Sequence, residues 1–202
     1  MMKKALSLFL AAAMCAGMLT GCGGGADTND ASNGDSGEST AAAFKIGGTG
    51  PLTGDAAIYG NAVKNGAQLA VDEINAEGGV QFELKMEDDE NDPEKAVSAY
   101  NALKDWGVQL SLGSVTSKPA EATATENFAD RIFALTPSAS APAVTEGKDN
   151  VFQMCFSDPN QGTASAEYIA DNQMGTKIAI IYKNDDVYSS GIYEKFKAEA
   201  ET

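Results

Sequence analysis

Short apolar runs alternate with longer amphipathic stretches from Phe44 to the end of the 202-residue chain. Apolar positions at period two predict strands, whereas apolar positions three or four residues apart predict helices. The predicted strands are FKIGGTG, VQFELKMED, GVQLSLG, RIFALT, VFQMCF and KIAIIY, the last as a buried strand. Regular alternation of strands with helices predicts an α/β fold whose parallel sheet is covered on both faces.

The predicted helices have recognisable starts and stops. Asp92 stands directly before Pro93, which is typical of an N-cap residue followed by a proline in the first turn. The first helix, which begins near Ala57, is expected to stop at Gly78 and Gly79. We expect its buried face to contain Ala62, Gly66, Leu69, either Ala70 or Val71, and Ile74.

The first residues are predicted to be removed from the mature protein. Lys3 and Lys4 precede the apolar run ALSLFLAAAMCAGML, and this arrangement is typical of a secretory signal peptide. The run ends in LTGC, which resembles the lipobox of bacterial lipoproteins. We therefore predict a signal peptide at 1–21, a lipid on Cys22, and a disordered tether at 22–43 that lacks large apolar residues.

Charge and residue usage narrow the possible chemistry. The net charge of -15 at pH 7 repels phosphate backbones, so we expect no nucleic-acid partner. The absence of histidine excludes Ser-His-Asp and Cys-His catalysis and removes the commonest metal ligand. It is consistent with our prediction of a protein that is not an enzyme and that uses no metal or cofactor. Cys155 is the one thiol after Cys22, and we expect it in a buried strand as a small apolar residue.

The segment FKIGGTGPLTG raises the alternative of a nucleotide-binding loop. A dinucleotide fingerprint has G-x-G-x-x-G, but the glycines from Gly48 to Gly54 are spaced one residue too far apart. Pro51 also lacks the amide that a pyrophosphate would use, and Arg131 is the single arginine of the chain. Because MEDDEND supplies acids after the second strand, a nucleotide site stays open as a minor alternative.

Six segments in order carry a family resemblance: KIGGTGPLTGDAAIYGNAVKNGAQLAVDEINAEGGV, MEDDENDPEKAVSAYNAL, GSVTSKPA, TPSASAPAVTEG, VFQMCFSDPNQG and IAIIYKNDDVYSSG. They resemble the type I periplasmic solute-binding proteins of ABC transporters, in the branched-chain amino-acid (Leu/Ile/Val)-binding group. The resemblance implies two doubly wound parallel-sheet lobes that close on a small solute. It places most of the first lobe at 44–154 and the start of a second, truncated lobe at 155–202. Two complete lobes need about twice this length, so we expect weak binding by this chain alone.

Two loops follow predicted parallel strands and offer groups to a ligand. In GSVTSKPAEA a strand ends at Gly113, and Ser117 is placed to cap the next helix, where free amides favour a small anion. In TPSASAP, Ser138, Ala139 and Ser140 offer amides and two hydroxyls. Ligands bind at this edge of open α/β sheets, but serines here are equally expected as plain caps and turns.

The resemblance favours the ligand-binding alternative. It implies that Ser117, Ser138 and Ser140 bind the carboxylate and amino group of an amino acid through hydroxyls and main chain. Four further residues match positions at the family's pocket or cleft, although the two tyrosines would also fit ordinary half-buried positions: Tyr59, Val115, Thr116 and Tyr188. Asp158 is expected to cap a helix near the hinge. The family's acid for the ligand ammonium corresponds to a position beyond residue 202.

The sequence therefore predicts an extracytoplasmic receptor of an ABC importer, anchored to the cell membrane through lipid on Cys22. It is expected to bind an amino acid, of the branched-chain type, as a monomer and to deliver it to a permease and ATPase complex. Two alternatives stay open. One is a ligand-sensing domain of the same fold, and the other is an α/β enzyme that uses the acids of MEDDEND with Mg²⁺.

Overall fold

The computed structural model describes residues 42–202. The predicted signal peptide at 1–21 and the predicted lipid site at Cys22 lie outside these residues, as does all but the end of the predicted tether. In the part of the chain that is described, no helix combines the length and the apolar character needed to cross a bilayer.

A five-stranded parallel sheet forms the centre of the fold, with the strand order β2-β1-β3-β4-β5. The strands are β1 at Phe44–Gly50, β2 at Phe82–Asp88, β3 at Leu110–Ser114, β4 at Ala134–Thr136 and β5 at Val151–Gln153. The five strands alternate with helices as far as β4, and this arrangement confirms the predicted α/β class.

Five α-helices accompany the sheet, together with one turn of 3-10 helix at Pro142–Val144. The helices are α1 at Ala57–Ala76, α2 at Pro93–Trp106, α3 at Ser117–Asp130, α4 at Asp158–Asp171 and α5 at Val187–Ala200. Helices α2 and α3 pack against each other, and α4 and α5 pack mainly against each other. A cluster of small apolar residues between α3 and the β4 and β5 strands forms one part of the core.

Local sequence signals account for the ends of α2. The carboxylate of Asp92 accepts hydrogen bonds from the amides of Glu94 and Lys95, both at 2.9 Å, and Pro93 occupies the first turn. Gly107 ends the helix in the left-handed region, with φ of 90°. The predicted cap at Asp92 is therefore confirmed, and the helix stops at a residue that tolerates this backbone conformation.

Helix α1 buries a different face from the predicted one. Val71 is buried as expected, but Gly66 is exposed and Leu69 is 59% exposed. The rotation of the helix is set by Gly60, where a Cβ atom would lie only 2.0 Å from the carbonyl oxygen of Pro51. Because this close approach brings Gly60 inward, the predicted stripe is turned toward solvent.

The segment KIAIIY at 177–182 does not form the predicted buried strand. No strand among residues 42–202 pairs with it, and its residues are exposed, Ile181 completely. A strand is stable only where a neighbour accepts and donates its main-chain hydrogen bonds. The apolar pattern predicts a buried strand only if a neighbouring strand lies beside it, and none does among residues 42–202.

Buried hydroxyls connect the carboxyl ends of the central strands. The hydroxyl of Thr49 on β1 hydrogen-bonds that of Ser114 on β3, which lies 3.0 Å from the hydroxyl of Thr123 on α3. The hydroxyl of Thr136 on β4 donates to the carbonyl of Ser114 at 2.7 Å. All four side chains are buried, so this network fixes where the loops beyond the strands begin.

Asp89 lies fully buried directly after β2. Its Oδ1 accepts from the amide of Asn91 at 2.9 Å, whereas its Oδ2 has no hydrogen-bond partner. Burial raises the pKa of Asp89 from 3.8 to about 6, against the opposing effect of the Asn91 amide and the nearby Thr49 hydroxyl. The ionised carboxylate therefore lowers the stability of the folded chain at neutral pH.

We expect Asp89→Asn to raise the melting temperature at neutral pH. Because its folded-state pKa is raised, the stability that this carboxyl contributes is fully present below 3.8 and is lost as the pH rises through about 6. The difference corresponds to at most about 3 kcal/mol, or roughly 6–12 °C in melting temperature, and the amide oxygen can still accept from Asn91. Thermal unfolding across this pH range measures the effect, which should shrink toward the acid end.

Asp105→Asn is the matched control, because Asp105 lies on the exposed side of α2. It removes the same charge without relieving a buried carboxylate. Equal stabilisation by the two variants would show that net charge, rather than burial of Asp89, determines the result.

Gly60→Ala should destabilise the chain by about 2 kcal/mol or more, because the new methyl group would collide with the main chain of Pro51. Gly66→Ala in the same helix is the control, since nothing lies within 4 Å of its Cβ position. That substitution should stabilise the helix by about 0.5–1 kcal/mol. Denaturant unfolding of both variants measures the difference, and similar stabilities would contradict the close approach at Gly60.

Candidate functional site

A cavity of about 460 Å³ opens at the carboxyl edge of the parallel sheet. Its wall is formed by the start of α1, the loops after β2, β3 and β4, the residues after β5, and the start of α5. Open parallel α/β sheets bind their ligands at this edge, because the connecting loops converge there.

The structure brings most of the predicted site residues together at this cavity. Those that line it are Tyr59, Val115, Thr116, Ser117, Ser138, Ser140 and Tyr188. Ala139 does not line it: the residue is buried in the apolar cluster, and its amide donates to the hydroxyl of Thr136 at 3.2 Å. The expectation that Ala139 offers a free amide to a ligand is therefore wrong, because a strand residue already uses that donor.

Ser117 does not cap α3 as predicted. The N-cap residue is Thr116, whose hydroxyl donates to the side chain of Asn91 at 2.7 Å and makes no capping hydrogen bond. The Oγ of Ser117 instead accepts from the amides of Ser140 at 3.2 Å and Ala141 at 3.3 Å. The serine thus joins the start of α3 to the loop after β4.

These contacts determine the hydrogen-bonding character of Ser117. A hydroxyl has one proton and two acceptor lone pairs, and the two amides occupy its acceptor side, so its O–H remains to donate. Helix α3 begins without a side-chain cap, so no N-cap side chain engages its first-turn amides. This end of the cavity is therefore rich in donors, which suits a carboxylate or another small anion.

The loop after β4 contributes two serines to the cavity wall. The amide of Ser140 donates to the Ser117 hydroxyl, while Ser138 and Ser140 both line the cavity. The carbonyl of Ser138 accepts from the thiol of Cys155 at 3.2 Å. The predicted amides of Ala139 and Ser140 are therefore used within the protein, while Ser138 and Ser140 remain on the cavity wall.

Cys155 lies beyond the end of β5 and is half-buried on the cavity wall, so the expectation of a buried strand position is wrong. Its thiol donates to the carbonyls of Ser138 and Ala139, both at 3.2 Å. Burial raises the pKa of the Cys155 thiol, and the nearby Asp158 carboxylate raises it further. The thiol is thus protonated at neutral pH and is a poor nucleophile.

Asp158 is also not the predicted helix cap. The N-cap residue of α4 is Ser157, and Asp158 is the first helical residue, fully buried, with no hydrogen-bond partner on either carboxylate oxygen. Burial raises the pKa of Asp158; the Ser140 hydroxyl opposes the rise and Asp186 adds to it. A buried carboxylate this close to a cavity wall is unusual, because isolated buried charge is costly.

The acids of MEDDEND have structural partners. The carboxylate of Asp88 accepts from the amide of Leu52 at 2.8 Å and from the hydroxyl of Thr53 at 2.5 Å. Although burial opposes it, these hydrogen bonds lower the pKa of Asp88, so a carboxylate of the chain itself occupies the glycine loop. In residues 42–202 no group of three or more His, Cys, Asp or Glu is arranged to hold a metal ion.

Several wall residues were not predicted from the sequence: Ala56, Asn91, Pro137, Cys155, Phe156 and Asp186. Asn91 follows β2 at the same edge as the serine loops, so the rule on carboxyl ends of strands would have found it. Asp186 caps α5 by accepting from the amide of Ser189 at 2.9 Å, and an aspartate before a helical run is a recognisable signal. Phe156 carries no such signal, because its place depends on the path of the chain after β5.

Comparison with known proteins identifies the family. The family model described as "Periplasmic binding protein" matches residues 43–202. The Leu/Ile/Val-binding protein BraC3 of Rhizobium johnstonii is 38% identical over 157 residues, which is 76% of this chain and 42% of that protein. The leucine-, isoleucine-, valine-, threonine-, and alanine-binding protein of Pseudomonas aeruginosa is 34% identical over 163 residues, which is 78% of this chain and 43% of that protein.

Solved structures agree. The branched-chain amino acid transporter substrate binding protein LivJ of Streptococcus pneumoniae, in complex with isoleucine, is similar with a TM-score of 0.74 and 31% identity, over 78% of this chain and 47% of that one. The chain thus spans less than half the length of these relatives. By their names they are solute-binding proteins and not enzymes. The match over residues 43–202 and the shared fold show that the chain belongs to the periplasmic binding protein family, with the type I fold that its sequence predicts.

Proposed function

We propose that this chain is the solute-binding receptor of an ABC importer and that its ligand is an amino acid of the branched-chain type. The observation that carries the proposal is the donor-rich end of the cavity, where the Ser117 hydroxyl and the uncapped start of α3 suit a carboxylate. The names of the relatives support the ligand class, since they bind leucine, isoleucine and valine.

The rest of the cavity wall supports an apolar side chain on the ligand. Tyr59, Val115, Phe156 and Tyr188 face the same cavity as the serines, and no lysine or arginine lines it. Ligand sites typically combine an apolar wall with a few well-placed polar groups that fix orientation. An amino acid with a branched aliphatic side chain matches that division.

Binding is proposed to close two lobes over the solute. The first lobe would span 44–154 and the second would begin at 155, in keeping with α4 and α5 packing mainly against each other. Asp186 and Tyr188, at the start of α5, line the same cavity as the serines of the proposed first lobe. Closure around this cavity would exclude water and strengthen each hydrogen bond to the ligand.

We further propose that the receptor works outside the cell as a monomer and passes its ligand to a permease and ATPase complex. Attachment would be through lipid on Cys22, since LTGC resembles a lipobox and the net charge of -15 disfavours electrostatic binding to an anionic membrane surface. The flexible composition of 22–43 would let the folded part reach its permease.

Ser117→Ala should weaken leucine binding by about tenfold to a hundredfold, because the ligand loses a donor and two loop amides lose their acceptor. Calorimetric titration with leucine, isoleucine and valine measures the change. The control is Ser98→Ala, whose hydroxyl donates to the Glu94 carbonyl on the exposed side of α2. Unchanged affinity in Ser117→Ala, or no binding of any amino acid by the wild type, would contradict the proposed site.

Cys22→Ser should move the protein from the membrane fraction to the soluble extracytoplasmic fraction in a bacterial host and abolish its labelling by a radioactive fatty acid. The change removes the thiol that would carry the lipid. Cys15→Ser, within the apolar run before the processing site, is the control and should leave both properties intact. Fatty-acid labelling that persists in Cys22→Ser would rule out this anchor.

A further inference from the structure

We infer that Asn91 is a positioning residue. By holding the hydroxyl of Thr116, it keeps that hydroxyl from capping α3, so the start of the helix stays open to the carboxylate of the ligand. The inference rests on the proposed function, because it assumes a carboxylate in the cavity. It also gives a role to MEDDEND at 86–92, the acidic segment that contains Asn91 and that the proposed function does not use.

Thr116 has the backbone of an N-cap residue but does not cap its helix. Its φ of -105° and ψ of 152° are extended, as is usual at this position, where a threonine oxygen normally accepts from a first-turn amide. The hydroxyl instead donates to Oδ1 of Asn91 at 2.7 Å and makes no capping hydrogen bond. Thr116 is therefore a competent cap that is held away from the helix, and both residues line the cavity.

The proline in the first turn of α3 makes this diversion easy. An N-cap side chain accepts from the second or third amide of its helix, and Pro119 at the third position has no N–H. Capping would therefore give Thr116 a single partner, the amide of Lys118. One hydrogen bond to Asn91 replaces one capping hydrogen bond, so the acceptor on Asn91 is sufficient to hold the hydroxyl.

Asn91 is held in place by its backbone. Its φ of 62° lies in the left-handed region, which asparagine tolerates better than most residues. Its amide donates at 2.9 Å to Oδ1 of Asp89, which is fully buried directly after β2. Although the Asn91 side chain is exposed, the loop that carries it is thus fixed to the sheet.

The position of the Thr116 oxygen matters because a capping oxygen and an anion compete for the same end of a helix. Next to it, Ser117 is 5% exposed, lines the cavity, accepts from two amides and retains its proton to donate. A Thr116 oxygen turned over the first turn would place lone pairs beside that donor and repel a carboxylate. Asn91 therefore keeps this end of the cavity rich in donors.

The test uses Asn91→Gly, because glycine keeps the left-handed backbone and removes the acceptor. Thr116 is then free to cap α3, and leucine must displace it. We expect calorimetric titration to show leucine binding weakened by about fivefold, the factor that corresponds to one N-cap hydrogen bond. In a Thr116→Val background, which has no capping hydroxyl, Asn91→Gly should change leucine affinity by less than about twofold.

Glu90→Gly is the matched control. Glu90 lies in the same loop, has a φ of 49° and does not line the cavity, so its replacement should leave leucine affinity within about twofold of the wild type. Equal weakening by Asn91→Gly with and without the Thr116 hydroxyl would show that Asn91 acts on the ligand directly or through general stability. That result, or unchanged affinity in Asn91→Gly, overturns the inference.

A second measurement needs no ligand. Amide hydrogen exchange followed by NMR should show the Lys118 amide exchanging about threefold or more slowly in Asn91→Gly than in the wild type, because Thr116 now accepts from it. The protection should disappear when Thr116→Val is added. An unchanged Lys118 rate in Asn91→Gly overturns the inference even if leucine binds. If the wild type binds no amino acid, the proposed function fails, and the exchange rates alone decide whether Asn91 holds Thr116 away from α3.

Discussion

The candidate site depends on one hydroxyl group, the Oγ of Ser117, which accepts the amides of Ser140 and Ala141. This contact joins a helix start to a loop that follows a different strand, so the cavity wall behaves as one unit. Beneath it, the network through Ser114 and Thr136 holds the same two strands together. Binding residues on separate loops are useful only if their spacing is fixed, and these buried hydroxyls fix it.

Most of the fold was predictable from the sequence, because it follows local rules. The alternation of apolar runs with amphipathic stretches gave the α/β class, and α3 occupies the predicted segment from Ser117 to Asp130. The carboxyl-edge rule selected both serine loops. The predictions that failed depend on long-range contacts. KIAIIY has no strand partner among residues 42–202, and α1 is rotated by the contact of Gly60 with Pro51. Ser117 accepts from amides 23 and 24 residues away. No local pattern encodes such partners.

The site also shows why residue type alone does not assign a role. Serine, aspartate and cysteine were expected as caps or core, yet Ser117 joins two loops, Asp158 is a buried and unpaired carboxylate, and Cys155 lies on the cavity wall. Each difference arises because a hydroxyl, carboxylate or thiol takes its function from the groups that it meets in space. The family resemblance located the loops, whereas the hydrogen bonds determine which group there donates and which accepts.

Gly191 on α5 packs directly against the side chain of Asp158 at the start of α4. With only a hydrogen atom between α5 and the Asp158 side chain, any shift of that helix presses directly on a residue whose amide holds Ser140. A movement of α5 would therefore displace Asp158 and, with it, the cavity wall. Glycine is needed at position 191 because a larger side chain would collide with Asp158, not because of its backbone conformation. A fluorescent dye attached at the exposed Glu194 position of α5 would move with this helix, so its emission would report whether the cavity is occupied.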